Sequence, residues 1–220
     1  MNGIPTTKGF QHALEVSRLL QELKCPWGIA GGWAVDLFLN RVTREHHDIE
    51  VAIFRDDQLE FQQYLLARNW SLRKVVNGEL YPWMNGEWLK LPVHEIWCQS
   101  TVGSRQSLEL LLNERTAESF VFRRDSSITR PVEITFIQSQ IGIPILSPEI
   151  VLMYKSRRAS DPKEQSDFLN LLGVLDVPRR QWLYESVAAV YPGHLWLADL
   201  KLPIGSVREA GSNQSSDLSE

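Results

Sequence analysis

Apolar residues recur at helical spacing through residues 7–24, with Phe10, Leu14, Leu20 and Leu23 and their neighbours on one stripe that Cys25-Pro26 stops. The pattern predicts an amphipathic helix that packs on a sheet. A short apolar run, Trp27, Ile29 and Ala30, then meets Gly31 and Gly32 ahead of an apolar, helix-compatible segment. The glycines thus fall where a strand turns into a helix, and there they let backbone N–H groups approach a ligand. Residues 48–54 alternate, with Ile49, Val51 and Ile53 on one face and Asp48 and Glu50 on the other, as in a half-buried strand. Asp57 is placed to cap a helix over 58–68, and two alternating runs, Trp70 to Val76 and Glu79 to Tyr81, flank the hairpin dipeptide Asn77-Gly78.

Residues 82–92 hold Trp83, Trp88, Pro82 and Pro92 and read as an aromatic-rich loop, with core-edge burial favoured over a ligand platform. Residues 93–99 form a strand, Val93, Glu95 and Trp97 on one face and His94, Ile96 and Cys98 on the other; His94 reads as structural, not as a metal ligand. In 106–114, Leu108, Leu110 and Leu112 face one way while Glu109 and Leu111 face the other, which puts an acid inside an apolar strand. Residues 119–137, with Val132, Ile134 and Phe136 alternating, predict short antiparallel strands. Ser147-Pro148-Glu149 is a helix start, with serine as N-cap and proline at the first helical position, and that helix runs to about 158. Asp161-Pro162-Lys163-Glu164 has the spacing of a capping box and opens a helix over 162–173, and another follows over 178–190. Residues 203–220, almost free of apolar side chains after Val207, are expected to be disordered.

Charge and cysteine content narrow the function. A formal net charge of −4 argues against a protein that grips a nucleic-acid backbone and favours a small substrate. Cys25 and Cys98 have no metal or disulfide spacing, no leader is evident, and no apolar run approaches the ~20 residues of a membrane span, so a cytoplasmic protein is expected.

The candidate chemistry sits on the acids. Two residues along a strand is about 6.8 Å, so Asp48 and Glu50 can serve one polar spot, and two carboxylates on an otherwise apolar strand repel unless a cation lies between them. A divalent metal is the natural occupant. Glu109, on its own apolar strand, needs a partner as well, and Arg105 could supply one.

Strand, Gly-Gly, helix, short loop and acid-bearing strand, in that order, resemble the polymerase-β-like nucleotidyltransferases. Gly-Gly-Trp-Ala-Val-Asp at 31–36 and Thr-Arg-Glu-His-His-Asp-Ile-Glu at 43–50 are similar to the aminoglycoside and lincosamide nucleotidyltransferases of bacteria. The likeness returns in Ile143 to Lys155 and Pro162 to Phe168, where Lys163-Glu164 replaces the family's Lys-Asp. The resemblance implies an α+β fold, a mixed twisted sheet flanked by helices, with a nucleotidyltransferase core at 1–146 and a C-terminal helical part at 147–202. It implies that Asp48, Glu50 and a third carboxylate bind one or two Mg²⁺ ions; Glu109 is the first choice for the third, with Glu114 and Glu133 as alternatives. Gly31, Gly32, Arg44, His46 and Lys155 are implied around the nucleotide. For His46 the alternatives are orienting its loop or capping the strand entry, and for Lys155 a cation at a helix C-terminus; His47 is given no role.

The implied reaction moves a nucleoside monophosphate, AMP from ATP in the first place, to a hydroxyl of a small molecule such as an antibiotic sugar, with Glu109 taking the proton. Two other readings stay open at this point. One is transfer to a protein or a tRNA, as in toxin-like relatives; the other is a non-catalytic member that binds a nucleotide or a partner.

Overall fold

The protein is seen in a computed structural model that describes residues 9–103 and 106–201. The expected disordered tail at 203–220 and the proposed partner Arg105 lie outside the described residues.

The amphipathic stripe forms α1 (Gln11–Leu20), which buries Ala13, Val16 and Leu20. The chain enters the sheet at β1 (Trp27–Ile29), turns into α2 (Gly31–Leu39), and returns as β2 (Glu50–Phe54). After a 3₁₀ turn at Arg55–Asp57 come α3 (Gln58–Leu66), β3 (Trp70–Val76), β4 (Glu79–Pro82), β5 (Glu95–Ser100) and β6 (Ser107–Arg115). Short strands β7 (Ser119–Val121), β8 (Thr129–Pro131), β9 (Phe136–Gln138) and β10 (Pro144–Leu146) precede the helices α4 (Pro148–Lys155), α5 (Pro162–Leu172), α6 (Val177–Val190) and α7 (Leu197–Leu200).

Eight strands lie in the order β4-β3-β5-β6-β2-β1-β10-β9, and β7 and β8 branch from β6. The sheet is mixed: β1 with β10 and β2 with β6 are parallel, and the remaining pairs are antiparallel. Strands β6, β2 and β1, which carry Glu109, Glu50 and the run into Gly31, are neighbours. The Asn-Gly turn is as predicted, Asn77 and Gly78 both having positive φ (51° and 84°), the conformation that a tight hairpin demands.

One sheet face is closed. Leu72, Ile96, Cys98, Leu108, Leu110, Val51 and Ile53 are buried there, and α3 packs on β3, its Tyr64 hydroxyl donating to the Leu19 carbonyl in the last turn of α1. The other face is uneven. On β3 and β5 it exposes Ser71, Arg73, Trp97 and Gln99, whereas toward β2 it runs beneath α4.

Local chemistry differs from expectation at four starts and one run. Asp57 makes no capping bond, because its carboxylate faces Arg115 at 3.2 Å. Ser147 also leaves its helix uncapped, donating its hydroxyl to the Ile134 carbonyl at 2.8 Å. Asp161 does cap, accepting from the Lys163 amide, but Glu164 does not complete the box; it is buried and paired with Lys155 and Arg158. Strand β2 begins at Glu50, so Asp48 stands just ahead of it. Residues 132–134 form a 3₁₀ turn after Pro131, and the alternation there marks no strand.

Candidate active site

Glycine at 31 is forced by its neighbour. Gly31 has φ of +59°, and a Cβ on it would fall 1.4 Å from Oε2 of Glu50. A Cβ on Gly32 would stand 2.2 Å from the Arg44 guanidinium and 2.5 Å from the His46 ring. The approach expected for a ligand is therefore occupied by this chain's own side chains, Glu50 over Gly31 and Arg44 and His46 over Gly32.

The acids gather by register. Glu50 and Glu109 are paired residues on the parallel strands β2 and β6, so their side chains leave the same sheet face about 4.8 Å apart at the backbone. Asp48 is exposed two residues before Glu50. Burial pushes the Glu109 carboxyl up to about 7, and the charges of Glu95, Glu50 and Asp48 add to it. Burial likewise raises Glu50, with Lys155 opposing the shift and Asp48 and Glu164 adding to it. The two alternatives for the third carboxylate stand elsewhere: Glu114 pairs with Arg55 at 2.7 Å, and Glu133 lies in the 3₁₀ turn after β8.

Lys155 ends α4 with its ammonium 2.5 Å from Glu164 and 2.9 Å from Asp167. Arg44 reaches the same Asp167 at 3.3 Å. These cations hold the loop before β2, α4 and α5 together through two buried acids. His46 is 3% exposed at its side chain and places Nε2 2.6 Å from Asp36 while its ring packs on Trp33 with centroids 4.6 Å apart. Asp36, fully buried, also accepts from the amide and the hydroxyl of Thr43. His46 is thus tied to α2 through Asp36 and Trp33.

Between the sheet and α4 lies a cavity of about 440 Å³. The row Ala52, Leu111 and Glu95 lines it from the sheet, with Gly31 and Glu50 beside it, and Tyr154 and Lys155 line it from α4. Arg123, Arg124 and Arg157 also line it, and among the described residues none of the three makes a salt bridge. Tyr154 donates to the Asn113 side chain at 2.9 Å, and burial pushes its hydroxyl up to about 12.

Several site residues escape a sequence reading. Asp36 looks like one more polar position on an apolar helix, and its three partners emerge only when the loop folds back. Arg123 and Arg157 give no periodic signal. Glu95 is legible only as a strand position, yet its pairing with Leu111 puts it on the same sheet face as Glu109, one diagonal step away.

As the side chains stand, no three His, Cys, Asp or Glu among the described residues converge closely enough to hold a metal ion. The donor chemistry nevertheless fits a hard divalent cation. Burial first, and then the charges of Glu95, Glu50 and Asp48, hold the Glu109 carboxyl up to about 7, and a cation among these acids would offset their mutual repulsion.

A mixed sheet with a Gly-Gly helix start and acids on adjacent parallel strands defines the class, the nucleotidyltransferase fold. Residues 12–75 match the family model described as aminoglycoside-2''-adenylyltransferase. Among solved structures, the chain is similar to the antibiotic-resistance factor ANT(2'')-Ia in solution, with TM-score 0.55 and 16% identity over 83% of this chain and 93% of that one. A crystal structure of ANT(2'')-Ia with adenylyl-2''-tobramycin gives 0.54 and 14% over 82% and 99%. The lincosamide antibiotic adenylyltransferase LnuA, lincomycin-bound, gives 0.52 and 16% over 74% and 96%. No curated protein sequence matches the chain. The α+β nucleotidyltransferase fold stands on these likenesses, and the resemblance carried by 31–50 is to the aminoglycoside and lincosamide type.

Proposed function

We propose that this chain is a Mg²⁺-dependent nucleotidyltransferase that moves a nucleoside monophosphate, AMP from ATP, to a hydroxyl of a small molecule of the aminoglycoside or lincosamide kind. The observation that carries the reading is the register of Glu50 with Glu109, Asp48 just ahead, with Glu50 lining a cavity to which Lys155, Arg123, Arg124 and Arg157 bring cations. Core residues 1–146 supply the acids, and the helical part, 147–202, supplies Lys155.

Asp48, Glu50 and Glu109 would hold the metal, which when bound offsets the charge of the triphosphate and of the transition state. Lys155, Arg123 and Arg157 neutralise phosphate oxygens, and Arg44 supports them through Asp167. The acceptor hydroxyl loses its proton to the Glu109 carboxylate as its oxygen bonds to the α-phosphorus, and the bond to the β-phosphate oxygen breaks to release pyrophosphate. The net charge of −4 gives a nucleic-acid acceptor no support.

The test incubates the protein with Mg²⁺, each of the four common ribonucleoside triphosphates in turn, and tobramycin or lincomycin, and reads added mass and pyrophosphate. Transfer from ATP is expected, falling at least about 100-fold in Asp48→Asn, which keeps size but loses the charge a hard cation needs. Melting temperature should stay level or rise, since repulsion from Glu50 is relieved. An Asp48→Asn protein that still transfers, or that gains as much stability from Mg-ATP as the parent, refutes the assignment.

A further inference from the structure

The register extends the acid pair into a row. Glu50 on β2 pairs with Glu109 on β6, Glu109 with Trp97 on β5, and Trp97 with Arg73 on β3. Directly paired residues share a sheet face, so the four side chains leave one surface at intervals of about 4.8 Å. On one side of Glu50 the surface runs under α4 into the cavity with Lys155 and the unpaired arginines. On the other side it is open, and Trp97 is 47% exposed. Its indole does not hang loose: Nε1 donates to Oε1 of Glu95 at 2.7 Å. Glu95 itself lines the cavity and stands one diagonal step from Glu109 on the same sheet face.

We propose that Trp97, held by Glu95, is the acceptor platform, and that it takes a saturated, hydroxyl-bearing ring carrying a protonated amine. The proposal rests on the transferase reading and divides its site in two. In-line displacement requires the incoming oxygen and the leaving pyrophosphate on opposite sides of the α-phosphorus. The cations place the pyrophosphate under α4, so the hydroxyl comes from the side of Glu109 and Trp97. A flat indole face receives the C–H face of a saturated ring, and an amine beside it gains from both the ring quadrupole and the Glu95 carboxylate. Glu95 is then a positioning residue, fixing the indole plane and supplying charge that the metal set does not use.

The experiment follows the Trp97 indole N–H resonance of the full chain, assigned with Trp97→Phe, during titration with tobramycin and with lincomycin. Both amines should move that resonance, and the Mg²⁺ complex of a non-hydrolysable ATP analogue should move it less. Trp97→Ala should weaken tobramycin about tenfold, the scale of one lost stacking contact, and leave the nucleotide analogue within about twofold. Glu95→Gln keeps a hydrogen-bond acceptor for the indole, so it should hold the resonance in place yet weaken the amine. Because Trp97 is half exposed, an unchanged melting temperature should show that the variants fold. Undiminished tobramycin affinity in Trp97→Ala overturns the platform, as does a silent indole resonance with both amines. Transfer with an unchanged acceptor KM in Trp97→Ala sinks the platform and leaves the transferase reading standing. Amine binding at Trp97 without any nucleotide transfer does the reverse.

Discussion

Gly31 and Glu50 compete for one small volume, and only the absence of a Cβ resolves it. Gly31→Ala meets two obstacles, a positive φ that costs an L-residue roughly 1–2 kcal/mol and a carboxylate oxygen 1.4 Å from the new methyl. Removing the carboxylate as well, in Gly31→Ala with Glu50→Ala, relieves the second obstacle but not the first. A double-mutant cycle by urea unfolding should therefore show a coupling above about 0.5 kcal/mol, and strict additivity would mean that the contact is absent in solution. Glu109 gives a second prediction at this scale. Its folded value of about 7 lies above the ordinary 4.5, so between those pH values the folded protein keeps a proton that the unfolded chain has released. Its contribution to stability is full below about pH 4.5 and is lost as pH rises through 7. Metal-free protein should thus lose melting temperature between these limits more steeply than Glu109→Gln does, and Mg²⁺ should flatten the difference. Equal slopes would remove Glu109 from the acid cluster.

Among the elements, the loop between α2 and β2 gathers three of its bonds on one buried side chain. Asp36 accepts from the Thr43 amide at 3.1 Å and its hydroxyl at 2.5 Å, and pairs with His46. Asp36→Ala leaves these partners unsatisfied in a buried place and should cost about 3 kcal/mol in urea unfolding, with faster hydrogen exchange confined to residues near 40–48. A loss below 1 kcal/mol would show the loop to be held by other contacts. This element also marks what a sequence can reveal. Strand β2, the Asn77-Gly78 hairpin and the burial face of β6 are written in alternation and local turn chemistry, which need only near neighbours. The duties of Asp36, Lys155 and Glu95 depend on partners brought by register or by a returning helix, and local pattern cannot name them. The uncapped starts at Asp57 and Ser147 fail for the same reason, since Arg115 and the Ile134 carbonyl claim the capping oxygens.

Across the molecule, one buried acid ties distant parts of the chain. Glu149 on α4 is fully buried and meets Arg130 of β8 at 2.9 Å and Arg179 of α6 at 3.3 Å. Arg130 in turn lies beneath the Trp182 ring, whose N–H donates to the Thr129 carbonyl at 2.8 Å. Glu149→Ala strands the Arg130 guanidinium, Arg179 keeping Asp176, and should cost about 3 kcal/mol, while Glu149→Gln, which still accepts a hydrogen bond, should cost less. Equal losses in the two variants would assign the effect to packing and not to charge.

The strand order has a further consequence at the sheet's two margins. One margin is β4, four residues that end in Pro82, and the other is β9, three residues long. Proline has no amide hydrogen to offer, and a strand of three residues presents too short a ladder to template another chain. Neighbouring molecules in a concentrated solution thus find little backbone to zip onto. A protein that leaves Trp97 uncovered on its sheet face is shielded, along its rims, from the β-mediated clumping that such an exposed surface invites.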